Sequence, residues 1–175
     1  MPSIYIALGS NMDPENQIKA AVTMLRMHHP TVRFSSVYRS APMHHRAQDA
    51  FLNAVAHLEA DVPPQSIHEL LQSIEKSLSK KTLFRFGPRN IDLDLLLHGS
   101  DVLPDSARWK AANETDDLTS SLILPHPRMH ERRFVLEPLT ELLEPTATHP
   151  IIGKTWKELL EGTMDQDVAR LPIQL

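Results

Sequence analysis

Apolar and polar positions fall into readable periods over the first hundred residues. Residues 3 to 8, SIYIAL, are β-branched and apolar and read as a strand that the turn residues Gly9-Ser10-Asn11 bring to an end. Asp13-Pro14 has the form of an N-cap followed by proline at the first helical position, and Ile18, Ala21, Val22 and Leu25 then recur at helical spacing. TVRFSSVY, residues 31 to 38, predicts a second strand. FLNAVAHLEA, residues 51 to 60, alternates strictly, with Leu52, Ala54, Ala56 and Leu58 on one face and Phe51 and Asn53 on the other. Pro63-Pro64 opens a second helix whose Ile67, Leu70, Leu71, Ile74 and Leu78 make one apolar stripe. A polar, basic segment over 79 to 88 leads into NIDLDLLLH, a further strand.

The resulting order is β-α-β-β-α-β, which predicts an α+β fold with a ferredoxin-like βαββαβ core. Two helices on one face of a mostly antiparallel sheet would leave the other face for a ligand. Beyond His98 the pattern weakens. Residues 99 to 121 read as a long polar excursion with at most a short helix, and LILPHP as a brief extended segment. RMHERRFVLEPLTELL should be helical until Pro138 interrupts or kinks it. A helix near 154 to 161 and a short strand near 168 to 174 complete residues 1–175, read as a single domain.

Composition narrows the function classes. The 175 residues are 41% hydrophobic and 23% charged, with a formal net charge of −4. That balance gives no general electrostatic reason to bind nucleic acid or an acidic membrane, so any anionic ligand needs a local basic cluster. No signal-like leader or membrane-length apolar run is visible, and a cytoplasmic, monomeric protein is the expectation. The chain has no cysteine, which excludes disulfides, thiolate zinc sites and a cysteine nucleophile.

The chemistry concentrates at GPRNIDLDLLLH, residues 87 to 98. On a strand Asp92 and Asp94 share one face about 7 Å apart, with Ile91, Leu93, Leu95 and Leu97 behind them. Aspartate is disfavoured in strands, and the two charges repel. Such a pair suits magnesium, which takes one or two carboxylates and completes its shell from water and phosphate. The same spacing is equally compatible with a solvated polar face. Two basic groups flank the pair: Lys80, Lys81, Arg85 and Arg89 before it, and His126, Arg128, His130, Arg132 and Arg133 after it. That arrangement suits a metal-bound polyphosphate. His126 and His130 lack the glutamate of a zinc-protease motif. Phe51 and Asn53 on one strand face would suit a flat heterocycle, stacked on the ring and hydrogen-bonded to the amide.

Taken together, IYIALGSN at 4 to 11, SSVYRSAP at 35 to 42, FLNAV at 51 to 55, the helix ending in Gln72 and Glu75, FGPRNIDLDLLL at 86 to 97 and LPHPRMHERRF at 124 to 134 resemble the 6-hydroxymethyl-7,8-dihydropterin pyrophosphokinases of folate biosynthesis. The resemblance implies transfer of the β,γ-pyrophosphate of ATP to the pterin hydroxymethyl group, releasing AMP. It implies two magnesium ions on Asp92 and Asp94. Lys80, Arg85, Arg89, His126 and Arg132 would contact the phosphates, with Gln72 and Glu75 near the nucleotide and Arg89 and Lys80 acting in catalysis. The pterin would lie against Phe51 and Phe134 and be read by Asn53 and by Ser40, Ala41, Pro42 and Met43. Residues 42 to 50 and 79 to 88 would be closing loops. The basic loop departs from the family pattern at Ser79, Lys80, Thr82 and Phe86, where a Gly-Arg-x-Arg start and a tryptophan are usual, and lysine lacks the arginine fork. A pterin or nucleotide binder without efficient transfer, and a magnesium-dependent phosphohydrolase, are the competing readings.

Overall fold

The computed structural model describes residues 1–42, 47–78, 91–115 and 121–175. Its elements run β1 (Ser3–Ser10), α1 (Pro14–His28), β2 (Arg33–Phe34), β3 (Val37–Ser40), β4 (Phe51–Glu59), α2 (Pro64–Leu78), β5 (Asp92–His98), α3 (Ser106–Thr115), a 3-10 turn (Met129–Glu131), α4 (Arg133–Thr140), α5 (Trp156–Glu161) and β6 (Val168–Leu171). The strands form one sheet in the order β5-β1-β4-β3-β6, with β2 also on β4, and every pairing is antiparallel. This is the expected α+β arrangement, built from the βαββαβ core plus C-terminal elements.

The first core layer forms as the sequence periods predict. Ile4, Ile6 and Leu8 of β1, Leu52, Ala54, Ala56 and Leu58 of β4, and Leu93 and Leu95 of β5 pack against Ile18 and Leu25 of α1 and Ile67, Leu71 and Ile74 of α2. Each fully buried aliphatic side chain contributes roughly 1.5–3 kcal/mol. Two local expectations fail. Asp13 sits in the left-handed region at φ 48 with no side-chain cap, its carboxylate instead accepting from Asn16 Nδ2 at 3.0 Å. The strand expected over 31 to 38 breaks at Ser35, which folds back on β4: Ser35 N donates to the Val55 carbonyl and Ser35 Oγ accepts from Val55 N, both at 2.9 Å.

The second face of the sheet is not left open along its length. α4 and α5 cover one end of it, burying Tyr5, Val55, Leu96, Leu97, Leu136, Leu139 and Trp156 in a second core. Leu97 belongs to this layer, contrary to the expectation that it packs behind the aspartates. The cause is a bulge: Tyr5 pairs with Leu97 and Ile6 with Leu95, so Leu96 is an extra residue that inverts the alternation beyond it. Pro138 does not stop α4, which runs on to Thr140 with the proline buried inside it. The excursion after β5 holds a ten-residue helix, α3, whose Trp109 and Ala112 are buried against Ile123. Among the described residues, the end of the second face nearest Gly9 lies outside this second core, and it carries the polar residues Asn53, Asp92 and Asp94.

Candidate active site

The strand register builds the site. Gly9 of β1 is paired with Asn53 of β4 on one side and with Asp92 of β5 on the other. With strands roughly 4.8 Å apart, the Asn53 and Asp92 backbones stand about 10 Å from each other across a residue that has no side chain. A Cβ on Gly9 would stand in ordinary van der Waals contact with Asn53 Oδ1 at 3.7 Å, so a longer side chain there would project into the groove between them. Ala7, also small, sits beside Asp94 in the next row. β1 thus continues through Gly9 and Ser10 rather than ending there, and the glycine acts as a floor.

On the β5 side, Asp92 and Asp94 are both half-buried, as residues facing a groove should be. Glu75, one turn after Leu71 on α2, reaches the same strand: its Oε1 accepts from Leu93 N at 2.6 Å. Burial raises the Glu75 carboxyl to about 8, the Leu93 N–H opposes that, and the negative charges of Asp92 and Asp94 push it further up. A protonated Glu75 also hydrogen-bonds to Asp92. Among the described residues no group of three or more His, Asp or Glu side chains could hold a metal ion by itself.

His126 approaches from the loop before the 3-10 turn. Its backbone N–H donates to the carbonyl of Leu96, the bulged residue, at 2.9 Å, so the irregularity in β5 is what docks this loop. Its Nδ1 lies 2.8 Å from the Pro127 carbonyl and must therefore carry the proton, leaving the Nε2 lone pair 3.9 Å from Asp94 Oδ1. Burial depresses the imidazole to about 4, and the charge of Arg132 adds to that. The ring is neutral at physiological pH, and no ion pair with Asp94 forms. Two acceptors, His126 Nε2 and Asp94 Oδ1, therefore face each other across 3.9 Å.

On the β4 side, Asn53 Nδ2 donates to Ser40 Oγ at 2.8 Å and lies 3.4 Å from the Tyr38 carbonyl, and both Asn53 and Ser40 are buried. Phe51 shares this face two residues back. Phe134, at the start of α4, packs against the second core, with the Arg132 guanidinium 6.0 Å from its ring centre. Ala41 is exposed and Pro42 half-buried just beyond β3. Gln72 is exposed on α2 and lines a separate cleft of about 430 Å³ with His68, Leu103 and Leu122. Met43, Lys80, Arg85 and Arg89 lie outside the described residues, as do most of the two expected closing loops. The aspartate pair, Glu75 and His126 are therefore brought together, as are Asn53 and Ser40.

A family model described as 7,8-dihydro-6-hydroxymethylpterin-pyrophosphokinase matches residues 5–144. The chain belongs to this family. It is 36% identical over 157 residues to the 2-amino-4-hydroxy-6-hydroxymethyldihydropteridine pyrophosphokinase of Bacillus subtilis, covering 88% of this chain and 86% of that one. The Pseudomonas aeruginosa pyrophosphokinase is also 36% identical, over 97% of this chain and 96% of its own. Among solved structures, a Plasmodium falciparum HPPK-DHPS chain superposes with a TM-score of 0.67 at 14% identity, over 94% of this chain. That likeness supports the fold, and this chain spans only 44% of the Plasmodium one. Pterin pyrophosphokinase function in folate biosynthesis thus follows from membership.

Several pyrophosphokinase site features had no role assigned from sequence. Gly9 reads as turn punctuation until pairing places it between Asn53 and Asp92. Asn11 is buried, and its Nδ2 donates to Gln48 Oε1 at 3.0 Å and lies 3.4 Å from the Asp49 carbonyl, tying the start of α1 to the segment before β4. An asparagine after a Gly-Ser pair was the available signal.

Proposed function

We propose that the chain binds ATP beside β5 and 6-hydroxymethyl-7,8-dihydropterin beside β4, and moves the β,γ-pyrophosphoryl group across Gly9 from one to the other, releasing AMP. The observation that carries this is the single row Asn53, Gly9, Asp92, which sets an amide suited to a heterocycle next to an acidic pair suited to a metal-bound polyphosphate. Asn53 Nδ2 is engaged by Ser40, so its Oδ1 is the atom left to accept from a pterin N–H. Phe51 and Phe134 supply apolar surface for the ring faces.

The donor set fits magnesium, since Asp92 and Asp94 offer hard, partly exposed oxygens, and the family resemblance assigns two ions there. When bound, the ions would neutralise polyphosphate charge and favour in-line displacement. His126 arrives neutral, and a polyphosphate alongside raises its proton affinity until Nε2–H donates to a phosphate oxygen. Arg132 adds fixed positive charge on the same side. The hydroxymethyl oxygen attacks the β-phosphorus and releases its proton to solvent, the bond from that phosphorus to the α–β bridging oxygen breaks, and AMP leaves with that oxygen. Positioning and charge neutralisation do this work, with no covalent intermediate on the protein. Lys80, Arg85 and Arg89 complete the phosphate contacts in this reading.

The chain is taken to act as a cytoplasmic monomer on two small substrates, with neither nucleic acid nor membrane as partner. Its net charge of −4 offers no general attraction for nucleic acid or an acidic membrane, and no helix among the described residues is long and apolar enough to cross a membrane. Incubation with ATP, magnesium and the hydroxymethyl pterin should yield AMP only when the pterin is present. ADP and inorganic phosphate formed without pterin would replace this reading with hydrolysis.

A further inference from the structure

Helix α3 lies outside the βαββαβ core, and two of its side chains hydrogen-bond to the loop that carries His126. Trp109 is buried, and its Nε1 donates to the Pro125 carbonyl at 2.8 Å. One turn later Asn113 Nδ2 donates to the Trp109 carbonyl at 2.9 Å, which turns Oδ1 outward to accept from Arg128 N at 2.9 Å. Arg128 Nη2 in turn donates to the Asn113 carbonyl at 3.2 Å. Two side chains on one helix face therefore hold the backbone at positions 125 and 128, on either side of His126.

The segment they hold needs holding. Arg128 occupies the left-handed region at φ 62, a conformation that a non-glycine residue keeps only when its surroundings impose it. From the other side the His126 N–H is bonded to Leu96 O, so the loop is gripped between the bulge of β5 and α3. The outcome of that grip is the direction of the imidazole, with Nε2 towards Asp94. Indole packing against Ala112 and Ile123 anchors the helix that does this.

We infer that α3 is a brace for the phosphate-facing loop, and that Asn113 and Trp109 are positioning residues for pyrophosphoryl transfer, acting through His126. The inference rests on the proposed placement of ATP beside His126, and it assigns to α3 a share of nucleotide affinity although neither residue touches the nucleotide.

The test uses the whole chain with magnesium, a non-hydrolysable ATP analogue and the hydroxymethyl pterin. Asn113→Ala should weaken analogue binding and raise KM for ATP about tenfold, the size expected for losing a buried hydrogen bond that orients a contact. Pterin affinity should stay unchanged. Asn113→Asp, which keeps an acceptor opposite Arg128 N–H, should restore most of the loss. Trp109→Phe keeps the packing and removes the donor to Pro125, and should act in the same direction as Asn113→Ala. Ile151→Val trims the same apolar cluster without touching these hydrogen bonds, and should leave nucleotide affinity unchanged. Unchanged nucleotide affinity in Asn113→Ala and Trp109→Phe, or an equal loss for pterin, or an equal effect of Ile151→Val, would overturn the brace. His126→Ala separates the two levels: if it too leaves nucleotide affinity intact, the placement of ATP has failed; if it alone weakens binding, only the role of α3 has.

Discussion

Glu75 offers a sharp test because its charge state links the site to global stability. In the fold its carboxyl titrates near 8, chiefly through burial and then the neighbouring aspartates, against 4.5 in an unfolded chain. Between those values the folded protein keeps a proton that the unfolded one has shed. The associated stability is complete below pH 4.5 and is lost as pH climbs through 8. One such group contributes a loss of about 2 kcal/mol between pH 6 and pH 8, since a full proton difference is worth about 1.36 kcal/mol per pH unit and titration is half complete at 8. For a chain of this size that is about 4–8 °C in Tm. Glu75→Gln keeps an acceptor for Leu93 N and a donor for Asp92 but cannot ionise. Thermal melts followed by circular dichroism in the presence of a chelator should therefore show the wild-type chain losing those degrees from pH 6 to 8 and the variant losing far fewer. All other groups are common to the two proteins and cancel. Parallel pH dependence in both would refute the reasoning, and would mean that Glu75 is ionised beside Asp92 in the folded state.

Three further outcomes are expected. Asp94→Ala should cut transfer by about a hundredfold or more while the melting temperature holds or rises, because it removes the metal contact proposed for Asp94 together with a like-charge neighbour of Asp92; near-normal turnover would remove Asp94 from the proposed metal site. Leu93→Ala, at a residue only 5% exposed, should cost about 2–5 kcal/mol in a denaturant titration, and an unchanged midpoint would place the wrong face of β5 in the core. His149 is buried among Trp109, His130 and Trp156, its Nδ1 accepts from Ile151 N and Ile152 N at 3.1 Å each, and burial lowers it to about 4. A histidine depressed in this way contributes stability that is present above pH 6.5 and lost as pH falls to 4, up to about 3 kcal/mol. Its ring resonances should report a neutral imidazole at pH 5.5, and titration near 6.5 would contradict the burial argument.

Local pattern was sufficient for one layer of this protein. The alternation in residues 51 to 60, the stripe from Ile67 to Leu78 and the spacing of Asp92 and Asp94 are consequences of strand and helix geometry, so the first core layer and the shared face of the aspartates were legible. GPRNIDLD and HPRMHERRF were specific enough to bring the family with them. The pairing of Asn53 and Asp92 through Gly9 was not legible, because register joins residues more than forty positions apart and no periodicity encodes it. The Leu96 bulge escaped for a similar reason, since an inserted residue in an apolar run leaves the run apolar. Pro138 was expected to interrupt or kink a helix, and it lies buried inside α4, which runs on to Thr140. The excursion after β5 is polar enough to read as loop, and only the tertiary structure gives α3 its partners at Pro125 and Arg128. Sequence by itself determined which residues could carry the chemistry, because charge, donor type and spacing are local properties. Tertiary structure decided which of them meet, because burial, register and the cover over the sheet's second face arise only when distant segments pack.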